Sequence, residues 1–192
     1  NHISYMNETH QGKDNVPKIL SVIIKPLKAR VDKAVDTATG TANNKPDQAA
    51  TAAFELLQAV KEPLNVIQIM LSPEDHERID ICDTVAEACL KCQTAYARTS
   101  KNWTKSIEIL DAALKYAASK ETIDTLTDKR RTIISSQYLD PIYDFCNTAY
   151  ENIEKHPDLA DQEAQRIINE APQFISKLSS ANVPNEIILL GK

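Results

Sequence analysis

Cys82, Cys89 and Cys92, with His76 upstream, are the residues whose types and spacing come nearest to a reactive or metal-binding group. Cys89-x2-Cys92 has the spacing of half a zinc site, and thiolates with an imidazole make a sound zinc set. On a helix, Cys82 and Cys89 lie about 20° apart and Cys92 about 60° beyond Cys89, so the three share a face. Ile81, Val85 and Tyr96 lie on that face too, which marks it as a buried stripe, whereas His76 projects about 120° or more away from Cys82. Cysteine also serves cores as a small hydrophobe. The expectation is therefore three reduced core cysteines with no metal and no cofactor. The alternative is a small-ligand or metal-binding helical domain that uses the Cys82/Cys89/Cys92 face and the neighbouring Tyr96. Cys146 stands in a second Cys-x-Thr-Ala-Tyr block that matches Cys92 to Tyr96, and is expected to pack likewise.

Other site chemistries find no residues. A carboxylate-bridged dimetal centre in a helical bundle needs Glu-x-x-His pairs, because positions i and i+3 project both ligands inward. Pro73 and Ile153 stand three residues before His76 and His156, so that motif is absent. Nucleophilic catalysis needs a serine or cysteine on a sharp turn beside a base. His2 and His10 fall in a polar lead-in, His76 in a first helical turn and His156 in a loop, none beside such a nucleophile. No catalytic residue is assigned, and the chain is not expected to be an enzyme.

Composition narrows the classes further. The chain has 192 residues, a net charge of −5 and only three glycines, Gly12, Gly40 and Gly191. Hairpin turns and phosphate-binding loops need glycine's positive φ, so its scarcity argues against β-rich, Rossmann and P-loop folds. A nucleic-acid binder normally shows a basic face. The acidic balance leaves one basic cluster, Lys129-Arg130-Arg131 beside Asp128, read first as a solvated helix face. The apolar run from Ile19 to Ile24 is far short of the roughly 20 residues of a membrane span, so no membrane insertion is expected. The free thiols fit a cytoplasmic protein.

The elements that would position these residues follow a helical period throughout. Leu20, Ile23, Ile24, Leu27, Val31, Ala34, Val35 and Ala38 form one stripe, with a kink or break expected near Lys25 because Pro26 follows it. Gly40 and Asn43-Asn44 end that helix, and Pro46 starts the next, whose stripe from Ala50 to Ile67 runs past Pro63. Ser72-Pro73-Glu74-Asp75 reads as a helix start with Ser72 as cap, for a helix reaching about Arg98. Asn102 caps a helix carrying Trp103, Ile107, Leu110 and Ala113. Ser119 begins another segment, which Pro141 is expected to divide. The last stripe runs from Ala164 to Leu178, past Pro172.

Three polar turns, at residues 41–49, 98–103 and 154–160, each join two such runs, and the first and third share Pro-Asp-x-Ala. An imperfect recurrence of this kind points to stacked helical hairpins. The stretch Cys89-Leu90, Ala95-Tyr96, Asn102-Trp103, Ser106-Ile107, Leu110 and Ala113-Leu114 resembles a tetratricopeptide-type hairpin over residues 89–117. It departs from that family in lacking the first-helix glycine, where Gln93 or Thr94 stands. Its recurrence is also longer than the family's unit of about 34 residues. The resemblance implies a surface for protein or peptide binding and transfers no catalytic residue.

The fold expected is thus all-α, about six helices paired as three antiparallel helical hairpins, in a short solenoid or a bundle. Residues 1–15 read as a flexible lead-in, 16–180 as a single domain and 181–192 as a C-terminal tail. The function expected is a non-catalytic interaction module, an adaptor or scaffold domain that binds a protein or peptide. Trp103, Tyr96, Lys129, Arg130 and Arg131 are the interaction candidates. An exposed apolar edge could also make a homodimer.

Overall fold

A computed structural model describes residues 10–180, which hold six α-helices and no strand. They are α1 (His10–Asn44), α2 (Ala49–Met70), α3 (His76–Ser100), α4 (Trp103–Ala113), α5 (Lys120–Lys155) and α6 (Ala160–Ser180). The all-α class and the number of helices are those the spacing predicts. Residues 1–9 of the lead-in and the tail 181–192 lie outside the described residues, and α1 already begins at His10. The chain divides into two compact units, Asn1–Thr127 and Asp128–Lys192.

In the first unit α1 and α2 form an antiparallel hairpin, with Arg30 of α1 3.3 Å from Glu62 of α2. Helix α3 packs against both, and α4 folds back onto α3 while touching α2, where Lys105 Nζ sits 4.5 Å from the centre of the Phe54 ring. The core between them is aliphatic: Ile24 and Val31 from α1, Leu56, Val60, Leu64 and Ile67 from α2, Ile81 and Val85 from α3, Ile109 and Leu110 from α4. In the second unit the rest of α5 pairs with α6. The Phe145 and Phe174 rings meet at 5.4 Å with their planes tilted by 42°, and nearer the turn Asn152 donates to Glu163 at 2.8 Å, which makes this pair antiparallel as well.

The turns at Pro46 and Pro157 share one backbone geometry. Each proline opens a short 3-10 turn after a residue with nearly the same angles, φ −141° and ψ 73° at Lys45, φ −138° and ψ 78° at His156. Proline suits that position because its φ is preset and its missing N–H would have no partner. Asn102 caps α4 as its type and place predict, accepting the Lys105 N–H at 3.0 Å. The linker before it contains Lys101 at φ 49°, a left-handed residue that reverses the chain without a glycine.

Several expectations are corrected. Pro26 and Pro141 interrupt neither α1 nor α5, and Pro63 and Pro172 also lie inside helices. A proline orphans the carbonyl four residues earlier. Val22, Ala59 and Ile168 are exposed and Gln137 is half-exposed, so water can satisfy all four carbonyls without breaking the helix. The α3 cap is Asp75, which accepts the Glu77 N–H at 2.9 Å, and Ser72 belongs to the preceding turn. Gly40 lies within α1 and does not end it, and its carbonyl accepts from the Asn44 side chain at 2.9 Å.

A Cβ at Gly40 would meet nothing within 4 Å. Gly40→Ala should therefore raise stability by about 0.5–1 kcal/mol, by restricting the unfolded chain and favouring the helix. Urea unfolding followed by the fluorescence of the single tryptophan, Trp103, reads this directly, and a loss of stability would contradict helix at that position.

Candidate functional site

The cysteine face is core. Cys82, Cys89 and Cys92 are at most 2% exposed, and the Cys92 thiol donates to the Ala38 carbonyl of α1 at 3.7 Å. Burial raises the Cys82 thiol pKa and pushes Cys92 up to about 11. Burial, with the neighbouring Cys92, pushes Cys89 up to about 12. These thiols therefore stay protonated, the unreactive form. One helix cannot bring all three to one ion, because ten residues of α-helical rise separate Cys82 from Cys92 by about 15 Å. Among the described residues no group of three His, Cys, Asp or Glu side chains is placed to hold a metal. His76 and His156 are exposed, His10 opens α1, and His2 lies outside the described residues.

Cys146 does not pack like Cys92. It is exposed, while Ala149 in the same block is buried and Tyr150 is 67% exposed. Three helices surround α3, whereas within its unit this part of α5 has only α6 to pack on, so the same five-residue pattern cannot be covered on as many sides.

The first unit carries an open cleft of about 480 Å³ between α3 and the start of α5. Ile79, Leu90 and Leu126 supply its apolar surface, and Thr84, Thr122 and Thr125 add hydroxyls. Its carboxylates are Asp80, Asp83, Glu87 and Glu121, with no lysine or arginine among the lining residues. A groove of about 520 Å³ along α1 and α2 differs in kind, since Arg30, Lys33 and Glu55 give it mixed charge.

Asp83 builds the α3–α5 cleft. Its Oδ1 accepts the N–H groups of Ala118 at 2.8 Å and Ser119 at 3.1 Å, while the Ser119 hydroxyl accepts the Thr122 N–H at 3.2 Å. A carboxylate on α3 thus satisfies free N–H groups at the start of α5, where the helix dipole also favours negative charge. Burial acts to raise the Asp83 pKa, but hydrogen bonds from Ser119, Ala118 and Thr122 outweigh it and hold the carboxyl below its ordinary 3.8. Asp80, Glu87 and Glu121 are exposed and form no ion pair with the described residues.

The sequence candidates sit elsewhere. Tyr96 and Trp103 are half-buried and line no part of this cleft. In the second unit Lys129 and Arg130 are half-buried, and exposed Arg131 pairs with Asp128 at 3.2 Å. Asp83 carries no local signal, since its partners lie 35 and 36 residues away. Gln93 and Ser106 were also missed: both are fully buried, on α3 and α4, and their side-chain polar atoms have no hydrogen-bond partner among the described residues.

Asp83→Ala should cost about 1–2 kcal/mol, the usual penalty for removing a helix cap. Because folding lowers the Asp83 pKa, its contribution is complete above the unfolded value and is lost as pH falls through the lower folded value. Stability of the parent against pH below 4 should therefore fall more steeply than that of Asp83→Ala, and parallel curves would contradict the cap. In dilute solution a bulky aromatic disulfide reagent should modify one thiol per chain quickly, Cys146, and the other three only on unfolding. Fast modification of Cys89 or Cys92 in the native protein would show that the α3 face opens.

No protein-family model, no curated protein and no solved structure matches this chain, so the α3–α5 cleft is characterised by its own residues alone.

Proposed function

We propose that the protein is a non-catalytic helical interaction module, an adaptor or scaffold domain whose α3–α5 cleft takes a segment of another protein bearing lysine or arginine. The observation that carries this reading is the cleft itself. Its apolar residues Ile79, Leu90 and Leu126 are accompanied by the exposed carboxylates Asp80, Glu87 and Glu121, none of which forms an ion pair among the described residues. Apolar side chains offer burial to an anchor residue, and uniform negative charge steers a basic partner while repelling acidic ones. The same charge disfavours nucleic acid.

Reduced, buried thiols suit a cytoplasmic setting. Among the described residues no helix is long and apolar enough to cross a membrane. The tetratricopeptide resemblance at residues 89–117 supports the same class of function by analogy of fold.

Selection from a display library of random peptides tests the reading. Enriched peptides should carry positive charge beside one or two large apolar residues, and Glu87→Lys should weaken their binding about tenfold. Enrichment of neutral or acidic peptides, or binding indifferent to Glu87→Lys in a folded variant, would sink the assignment of this cleft.

A further inference from the structure

We infer that the α5–α6 hairpin is a homodimerisation element, in which one apolar side of the hairpin packs against the same side of a second copy, antiparallel across a two-fold axis. This stands apart from the α3–α5 cleft, and neither depends on the other.

The hairpin lacks a core of its own. Among the described residues after Thr127, only Ile133 and Ala149 are buried apolar side chains. Two helices with one shared seam cannot enclose an interior, and a closed bundle needs further helices packed against them.

The two sides of the hairpin differ. On one, Arg166 lies 4.8 Å from the centre of the Phe145 ring and pairs with Glu163 at 2.8 Å, so a charged clamp closes it. Cys146 of α5 and Ala171 and Ile175 of α6 border, together with Phe145 and Phe174 of the seam, a small apolar hollow of about 40 Å³, and helical periodicity turns Ala171 and Ile175 away from Arg166. Helical periodicity puts Tyr143 and Tyr150 on the Cys146 side of α5, and Ile168 on the Ala171 and Ile175 side of α6. These three are 57%, 67% and 64% exposed and are among the most exposed large apolar side chains described. Exposed tyrosines grouped with aliphatic residues mark an interface more often than an ordinary surface.

Charge selects a second copy as the occupant. The open half of the hairpin, residues 128–142 and 173–180, holds four basic residues, Lys129, Arg130, Arg131 and Lys177, against two acidic ones. The turn half, residues 143–172, holds seven acidic residues against two basic ones. Antiparallel pairing of identical hairpins sets each basic half on the other copy's acidic half, and a two-fold axis makes both contacts at once.

The test is sedimentation equilibrium of the full chain over a range of concentrations, with thiol labelling of Cys146 in the same samples. Cys146 is exposed while the other three cysteines are buried, so fast labelling reports this face alone. A dimer is expected, with Cys146 labelling slowed as dimer forms. Ile168→Glu and Tyr150→Glu, both at exposed positions, should give monomers of unchanged helicity. Arg131→Glu should weaken association about tenfold, and added salt should weaken the parent. A monomer with reactive Cys146 at every concentration would overturn the proposal. So would a monomer with Cys146 protected, which would mean that another part of the same chain covers the face. A dimer unaffected by Ile168→Glu and Tyr150→Glu would place self-association elsewhere and overturn it equally.

Discussion

Helix α3 has to fit among α1, α2 and α4 at once, and the first unit is organised around that constraint. Helices approach closely only where their side chains are small, and the buried positions of α3 are mostly Ala, Cys and Val: Val85, Ala86, Ala88, Cys89 and Cys92. Ala38 and Ala42 on α1, and Ala49, Ala50, Ala52 and Ala53 on α2, supply more small side chains to the same core. The cysteines follow from this packing. They have the size of core side chains, their pKa values are raised by burial, and Cys92 donates a hydrogen bond to a carbonyl of a neighbouring helix. What resembles half a metal site is then a consequence of close packing.

The same helix anchors the chain just before α5, within the first unit. Its outer edge presents Asp83, whose carboxylate receives the first N–H groups before α5, so a single ionised side chain fixes how that helix starts against α3. The cleft and its carboxylates follow from this attachment. Gln93 is the unusual feature of α3, because a fully buried amide with no partner among the described residues is costly.

Much of the first unit was legible because its signals are local. A stripe of apolar residues, an asparagine before a helix and a proline opening a turn each act within a few residues, and each appears where its type predicts. The division expected at Pro141 did not occur, and Pro26 does not break α1, because the outcome depends on whether the orphaned carbonyl faces water, which the sequence does not state. The cap at Ser72 was displaced to Asp75 because two residue types of equal capping strength compete there. The shared Cys-x-Thr-Ala-Tyr block misled at Cys146, since burial depends on how many helices surround a position. The cleft was not legible at all. Its residues come from two segments brought together by a contact spanning 35 residues, and periodicity carries no trace of such a pairing.

The two units consequently have different sources of stability. The first encloses an aliphatic interior, while the second holds one seam between two amphipathic helices. Free energies of local opening should track that difference. Native-state hydrogen exchange resolved by residue tests this central claim most directly. The slowest amides should lie in α3 from Ile81 to Gln93 and in the facing parts of α1 and α2, with residues 128–180 exchanging through smaller openings at lower free energy. Exchange in the middle of α3 as fast as in the α5–α6 hairpin would contradict a fold organised around that helix.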